Sequence, residues 1–77
     1  MSQRFYFDTF NGTVTHDDVG CVLPDLLGAR CEARRLLQEL VGQSAPEQNR
    51  AEFRADVRDE SGCRVFSARM SLKFENG

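Results

Sequence analysis

His16 is the single histidine of the chain, and Asp17, Asp18 and Asp25 follow it closely. An imidazole and three carboxylates could hold a divalent cation. Loops that do so, however, place several oxygens at regular short spacing around a glycine turn. This segment lacks that spacing, so the acidic run reads as a loop that caps a helix and neutralises an arginine. Cys21, beside the same loop, could pair with His16 as thiol and base, but no third group is placed to orient the imidazole. A Gly-x-Ser-x-Gly elbow and a phosphate-binding glycine loop are both absent from the sequence. No residue is assigned a catalytic, cofactor-binding or metal-binding role. The chain is expected not to be an enzyme and to require no cofactor.

The elements that position these residues follow from local pattern. Residues 4–17 predict a β-hairpin, with Asn11-Gly12 as a two-residue type I′ turn between aromatic and β-branched flanks. Counting outward from that turn sets Phe10 against Thr13 and Thr9 against Val14. Phe5, Phe7, Thr9, Val14 and His16 then share the inner face, with His16 half-buried. Residues 18–25 read as a loop. Pro24 discourages helix before it, and Asp25 stands where an N-cap belongs. A helix is expected from Leu26 to Val41, with Leu26, Ala29, Ala33, Leu36, Leu37 and Leu40 as its apolar stripe and Gly42 as its stop. Gly28 in its first turn suggests a close approach to a sheet. Residues 43–50 predict a polar surface loop.

A second hairpin follows. Phe53, Ala55 and Val57 alternate with Glu52, Arg54, Asp56 and Arg58. Asp59-Glu60-Ser61-Gly62 supplies the turn, with Gly62 in the left-handed position. Phe66, Ala68, Met70, Leu72 and Phe74 then alternate with Val65, Ser67, Arg69, Ser71 and Lys73. The predicted fold class is α+β. The order is ββαββ, a four-stranded, mostly antiparallel sheet with one helix packed on one face, in a single domain spanning 1–77.

Composition bounds the rest. With 77 residues the core is thin, burying only about 60% of the surface an unfolded chain exposes. Hydrophobic residues at 40% and charged residues at 29% describe a folded chain. A net charge of −2 argues against strong non-specific attraction to nucleic acid or anionic membrane. Cys21, Cys31 and Cys63 are odd in number and widely spaced, which reads as free thiols and leaves any redox role open. The opening Met1-Ser2-Gln3-Arg4-Phe5 has no secretory pattern and no run is long enough to span a membrane, so a cytoplasmic location is expected.

Two surfaces stand out on this framework. Arg30 projects close to the apolar stripe, where a guanidinium needs an anion. Asp17, Asp18 and Asp25 are its expected partners, the alternative being a snorkelling side chain. The outer sheet face carries Arg54, Arg58, Arg69 and Lys73 with Tyr6, Phe10 and Val65. Basic and aromatic groups on an open sheet suit base stacking, but Asp8, Glu52 and Asp56 share that face. Mixed charge of this kind favours a protein contact, and Tyr6, Phe10, Val65, Arg54, Arg58 and Arg69 are the candidate interface.

The chain also resembles a family of short bacterial proteins known only as a domain of unknown function. The likeness rests on Arg4-Phe5-Tyr6-Phe7-Asp8 and on the acidic loop Asp17-Asp18-Val19-Gly20. It continues in Leu23-Pro24-Asp25-Leu26 leading into Ala29-Arg30-Cys31-Glu32-Ala33, and in Val57-Arg58-Asp59-Glu60-Ser61-Gly62. The chain departs from that pattern at Val22, where an acidic residue is usual, and at Gly28, where alanine is usual. The resemblance implies a fold and a length but no activity. A fainter likeness links the Pro24-Asp25-Leu26 stretch to antitoxins of the HicB type. The sequence therefore predicts a non-catalytic interaction or structural module that self-associates as a homodimer through its sheet. An unidentified protein partner is also compatible with it. The alternative is a nucleic-acid-binding or HicB-like module using the open sheet face.

Overall fold

The computed structural model describes residues 2–45 and 49–75. Five strands and one helix follow the order β1 (Gln3–Phe10), β2 (Val14–Thr15), β3 (Cys21–Leu23), α1 (Leu26–Gln43), β4 (Arg50–Arg58) and β5 (Arg64–Lys73). The sheet is antiparallel throughout, in the order β2-β1-β4-β5, with β3 paired to β1. The α+β class and the helix laid on the sheet are as expected. The sheet has five strands where four were expected, because Cys21–Leu23, expected within a loop, pairs with Gln3–Phe5. Three residues carry too little pattern to announce a strand. The neighbouring β1 supplies the reason for it.

The helix packs on the sheet through small residues. Ala29 and Ala33 on α1 and Ala55 on β4 are fully buried, which lets the two layers approach closely. Phe5, Phe7, Phe53, Val57 and Leu37 complete the core around them. Leu36, Leu40 and Val41 are half-buried at its margin, and Leu26 lies outside it, 52% exposed. Asp25 caps the helix as expected, its Oδ1 accepting from the Gly28 N–H at 2.9 Å. Gly42 does not end it. The helix runs on to Gln43, and the cap is Ser44, whose N–H and hydroxyl both donate to the Val41 carbonyl. Gly28 does approach a neighbour closely, but that neighbour is Pro24 and not the sheet. A Cβ there would lie 3.2 Å from the proline ring.

The two hairpins differ. In the second, Gly62 takes φ +90°, and Asp59 Oδ1 accepts from the N–H groups of Ser61 and Cys63, which closes the expected turn. In the first, Thr9 pairs with Thr15 and Phe10 with Val14. The loop is therefore Asn11-Gly12-Thr13, one residue longer than a type I′ turn. Gly12 alone has positive φ, whereas type I′ requires it at both central positions. The slip moves Val14 to the outer face, 63% exposed, and leaves His16 beyond the strand and exposed, not half-buried inside. Of the loop expected over 43–50, Gln43 is helical and Arg50 opens β4, while residues 46–48 lie outside the described residues.

Candidate functional site

β1 is flanked by β4 on one side and by the two short strands on the other. Between β2 and β3 a gap opens along its edge, and the acidic loop fills it. Asp17 Oδ2 accepts from the Phe7 N–H at 3.0 Å, taking the place of a missing strand carbonyl. Its Oδ1 accepts from Val19 and Gly20, both at 3.0 Å, which fixes the loop. Burial acts to raise the Asp17 pKa. The N–H groups of Gly20, Phe7 and Val19 outweigh it and hold the carboxyl below its ordinary value. Gly20, at φ +77°, sits so close beneath Arg4 and Tyr6 that a Cβ would meet each at 2.9 Å.

The open face of the sheet carries a second layer of pairing. β1 and β4 set Tyr6 opposite Arg58, Asp8 opposite Asp56 and Phe10 opposite Arg54. Arg58 donates twice to Asp8, from Nε at 2.7 Å and from Nη2 at 3.1 Å. The same guanidinium donates to the Asp17 carbonyl at 3.0 Å and lies 5.0 Å from the Tyr6 ring centre. Asp8 in turn accepts from the Asp17 N–H, and the Arg58 fork holds its carboxyl below the ordinary value against the opposing effect of burial. Further along, Arg54 reaches Asp56 at 3.1 Å and stands over Phe10 at 5.2 Å, while the Ser67 hydroxyl donates to Asp56 at 2.6 Å. His16 lies outside this ladder, its two ring nitrogens 3.3 Å from Asp8 and 3.4 Å from Asp18.

Arg30 is not tied to the acidic loop. It is exposed and, among the described residues, makes no ion pair with Asp17, Asp18 or Asp25. The start of the helix lies at the rim of the domain, so a residue near Leu26 faces solvent. Arg4 Nη1 donates to the loop at the Val19 carbonyl, 2.8 Å away, and the long-range contact comes from Arg58, on a strand far away in sequence, which donates to the Asp17 carbonyl. Its role was hidden because it depends on β4 lying beside β1, which no local pattern declares. Glu60, likewise unassigned from sequence, accepts from the Arg4 N–H at 3.1 Å and ties the second hairpin to the start of β1.

The remaining interface candidates divide. Tyr6 and Phe10 are half-buried beneath arginines, so they form no bare apolar patch. Val65 is displaced from the ladder. Val57 pairs with Phe66 and Arg58 with Arg64, leaving Val65 as the extra residue of a β-bulge. Arg69 sits opposite Arg54 and, among the described residues, has no ion-pair partner. It belongs to β5, whose outer edge is unpaired among the described residues over the whole strand, 10 residues long. Phe66, Ala68, Met70 and Leu72, on its helix-facing side, pack on the core but remain partly open.

Among the described residues no group of three or more His, Cys, Asp or Glu could hold a metal ion, and no helix is long and apolar enough to cross a membrane. All three cysteines are free thiols, Cys21 half-buried and Cys31 and Cys63 exposed. A helix on one face of an antiparallel sheet, a charge-laced opposite face and one long free edge define a small α+β domain whose surface chemistry is that of its sheet. The chain belongs to the family described as Domain of unknown function (DUF6894), whose family model matches residues 4–71. No curated protein and no solved structure matches it.

Proposed function

We propose that this domain is a non-catalytic interaction module that works by self-association, as a homodimer in the cytoplasm. The observation that carries the reading is β5, a ten-residue strand with a free outer edge and an incompletely covered apolar side. Unpaired strand edges recruit other strands, and natural domains that do not use them blunt them with proline, charge or a covering segment. β5 contains no proline and its bulge lies at one end only; its charges are confined to Arg64 at the bulge and to Arg69 and Lys73, four residues apart on the open face. A thin core gains from covering this side. The free thiols fit a reducing compartment.

Binding of nucleic acid to the open face has less support. Arg54 and Arg58 are engaged by Asp56 and Asp8, and they cover the rings of Phe10 and Tyr6 on which bases would stack. Sedimentation of the purified protein at tens of micromolar tests the reading directly. A dimer is expected, and a clean monomer would remove the proposal. Salt-dependent binding to a random single-stranded oligonucleotide would instead favour the alternative.

A further inference from the structure

We propose that the occupant of the β5 edge is the β5 of a second copy, antiparallel and in one register, with Met70 on the two-fold axis. This rests on the self-association reading and adds the contact through which it occurs.

Hydrogen-bond alternation decides which residues can take part. The Phe74 N–H donates to the Asn49 carbonyl at 2.7 Å, one step beyond the pairing of Arg50 with Lys73. Bonded and non-bonded pairs alternate along an antiparallel ladder. Phe66, Ala68, Met70 and Leu72 therefore turn their backbone groups toward β4. Ser67, Arg69, Ser71 and Lys73 turn theirs to the free edge, and a joining strand must bond to them.

An axis perpendicular to the sheet sets one residue opposite its own copy, and four centres keep a long overlap. Centring on Arg69 opposes two guanidinium groups, and centring on Ser71 opposes Arg69 to Lys73. Like charges directly across a ladder are destabilising. Centring on Ala68 sets Ser71 against Val65, where the bulge breaks the regular ladder, and Leu72 against the charged Arg64. Centring on Met70 avoids all three faults. Arg69 then faces Ser71 and Ser67 faces Lys73 on the open side. On the helix side Ala68 faces Leu72, and Phe66 faces Phe74, an aromatic that is 54% exposed in the single chain. The ladder ends before the bulge. The product is one continuous sheet with both helices on the same face.

Position 70 is then a non-bonded pair with itself, a spacing that accepts a disulfide. The test replaces Cys21, Cys31 and Cys63 by serine, introduces one cysteine at each of positions 68 to 71 in turn, and oxidises each variant mildly with oxidised glutathione. Met70→Cys is expected to give the dominant covalent dimer. A parallel sedimentation run on each reduced variant separates the two levels of the claim. A dimer in sedimentation that cross-links best at 68, 69 or 71, or at none of them, overturns this register and leaves self-association standing. A monomer throughout overturns both. Ser71→Pro removes an N–H directed at the free edge and is expected to abolish the dimer while circular dichroism stays native. A dimer that survives Ser71→Pro but is lost on Phe10→Asp would move the contact to the open face and overturn the edge.

Discussion

Asp17 uses both carboxylate oxygens on backbone N–H groups, one to seal the edge of β1 and one to shape its own loop. Asp17→Ala should therefore cost about 1–3 kcal/mol in urea denaturation, the penalty of stranding such donors, whereas exposed Asp18→Ala should leave the midpoint unchanged. The Asp8 and Asp17 carboxyls both titrate below their ordinary values in the folded state. Depressed carboxylates contribute stability that is complete above the unfolded pKa of about 4 and is lost as pH falls through the folded values. Urea midpoints should stay level from neutral pH down to about pH 5 and decline below about pH 4; Asp8→Asn should start lower at neutral pH and decline less steeply. A double-mutant cycle between Arg58 and Asp8 should show coupling, and one between Arg30 and Asp17 none. That an arginine meets the acidic loop was legible in the sequence, but which arginine was not. Helical phase placed Arg30 near Leu26, and Leu26 proves to lie at the rim, outside the core.

Among the elements, the helix was the most legible, because its apolar residues repeat along a long run and Asp25 marks its start. Its end was misplaced. Glycine is as free to remain helical as to turn left-handed, and Ser44 offers the cap one step later. Since Gly42 has no positive φ and a Cβ there meets nothing within 4 Å, Gly42→Ala should stabilise by up to about 1 kcal/mol. A thermal melt showing destabilisation would restore a left-handed stop. Leu37, 3% exposed, should lose about 2–5 kcal/mol on truncation to alanine, and half-buried Leu36 less, while Arg35→Ala on the solvent face should barely move the midpoint. The strands were readable where alternation is long, as in β4 and β5. Short pieces were not: β3 exists because β1 offers an edge, and the first loop gained a residue because Gly12 alone takes positive φ. The open face was correctly composed from the alternation of Tyr6, Asp8 and Phe10 against Arg54, Asp56 and Arg58, while its internal satisfaction depended on register.

At the scale of the molecule, the domain extends 51 Å along its longest axis and only 21 and 17 Å along the others, the shape of a long hairpin with a helix on one side. Such a body has much surface for its volume, and the proposed dimer should be visible in its stability. The melting temperature should rise by a few degrees for each tenfold increase in protein concentration, as mass action requires when folding and association are linked. A concentration-independent melt would uncouple them. The two borders of the sheet are unequal in a way that bears on stoichiometry. One border is tiled by β2 and β3, of two and three residues, with the Asp17 carboxylate plugging the gap between them; the other is β5, unbroken over most of its length. In the proposed pairing, strand addition would have a valence of one. If that border is filled across a two-fold axis as proposed, the far border offers only β2, β3 and residues 50–53 of β4, all much shorter than β5, so growth is expected to stop at a pair and not to continue as a fibre.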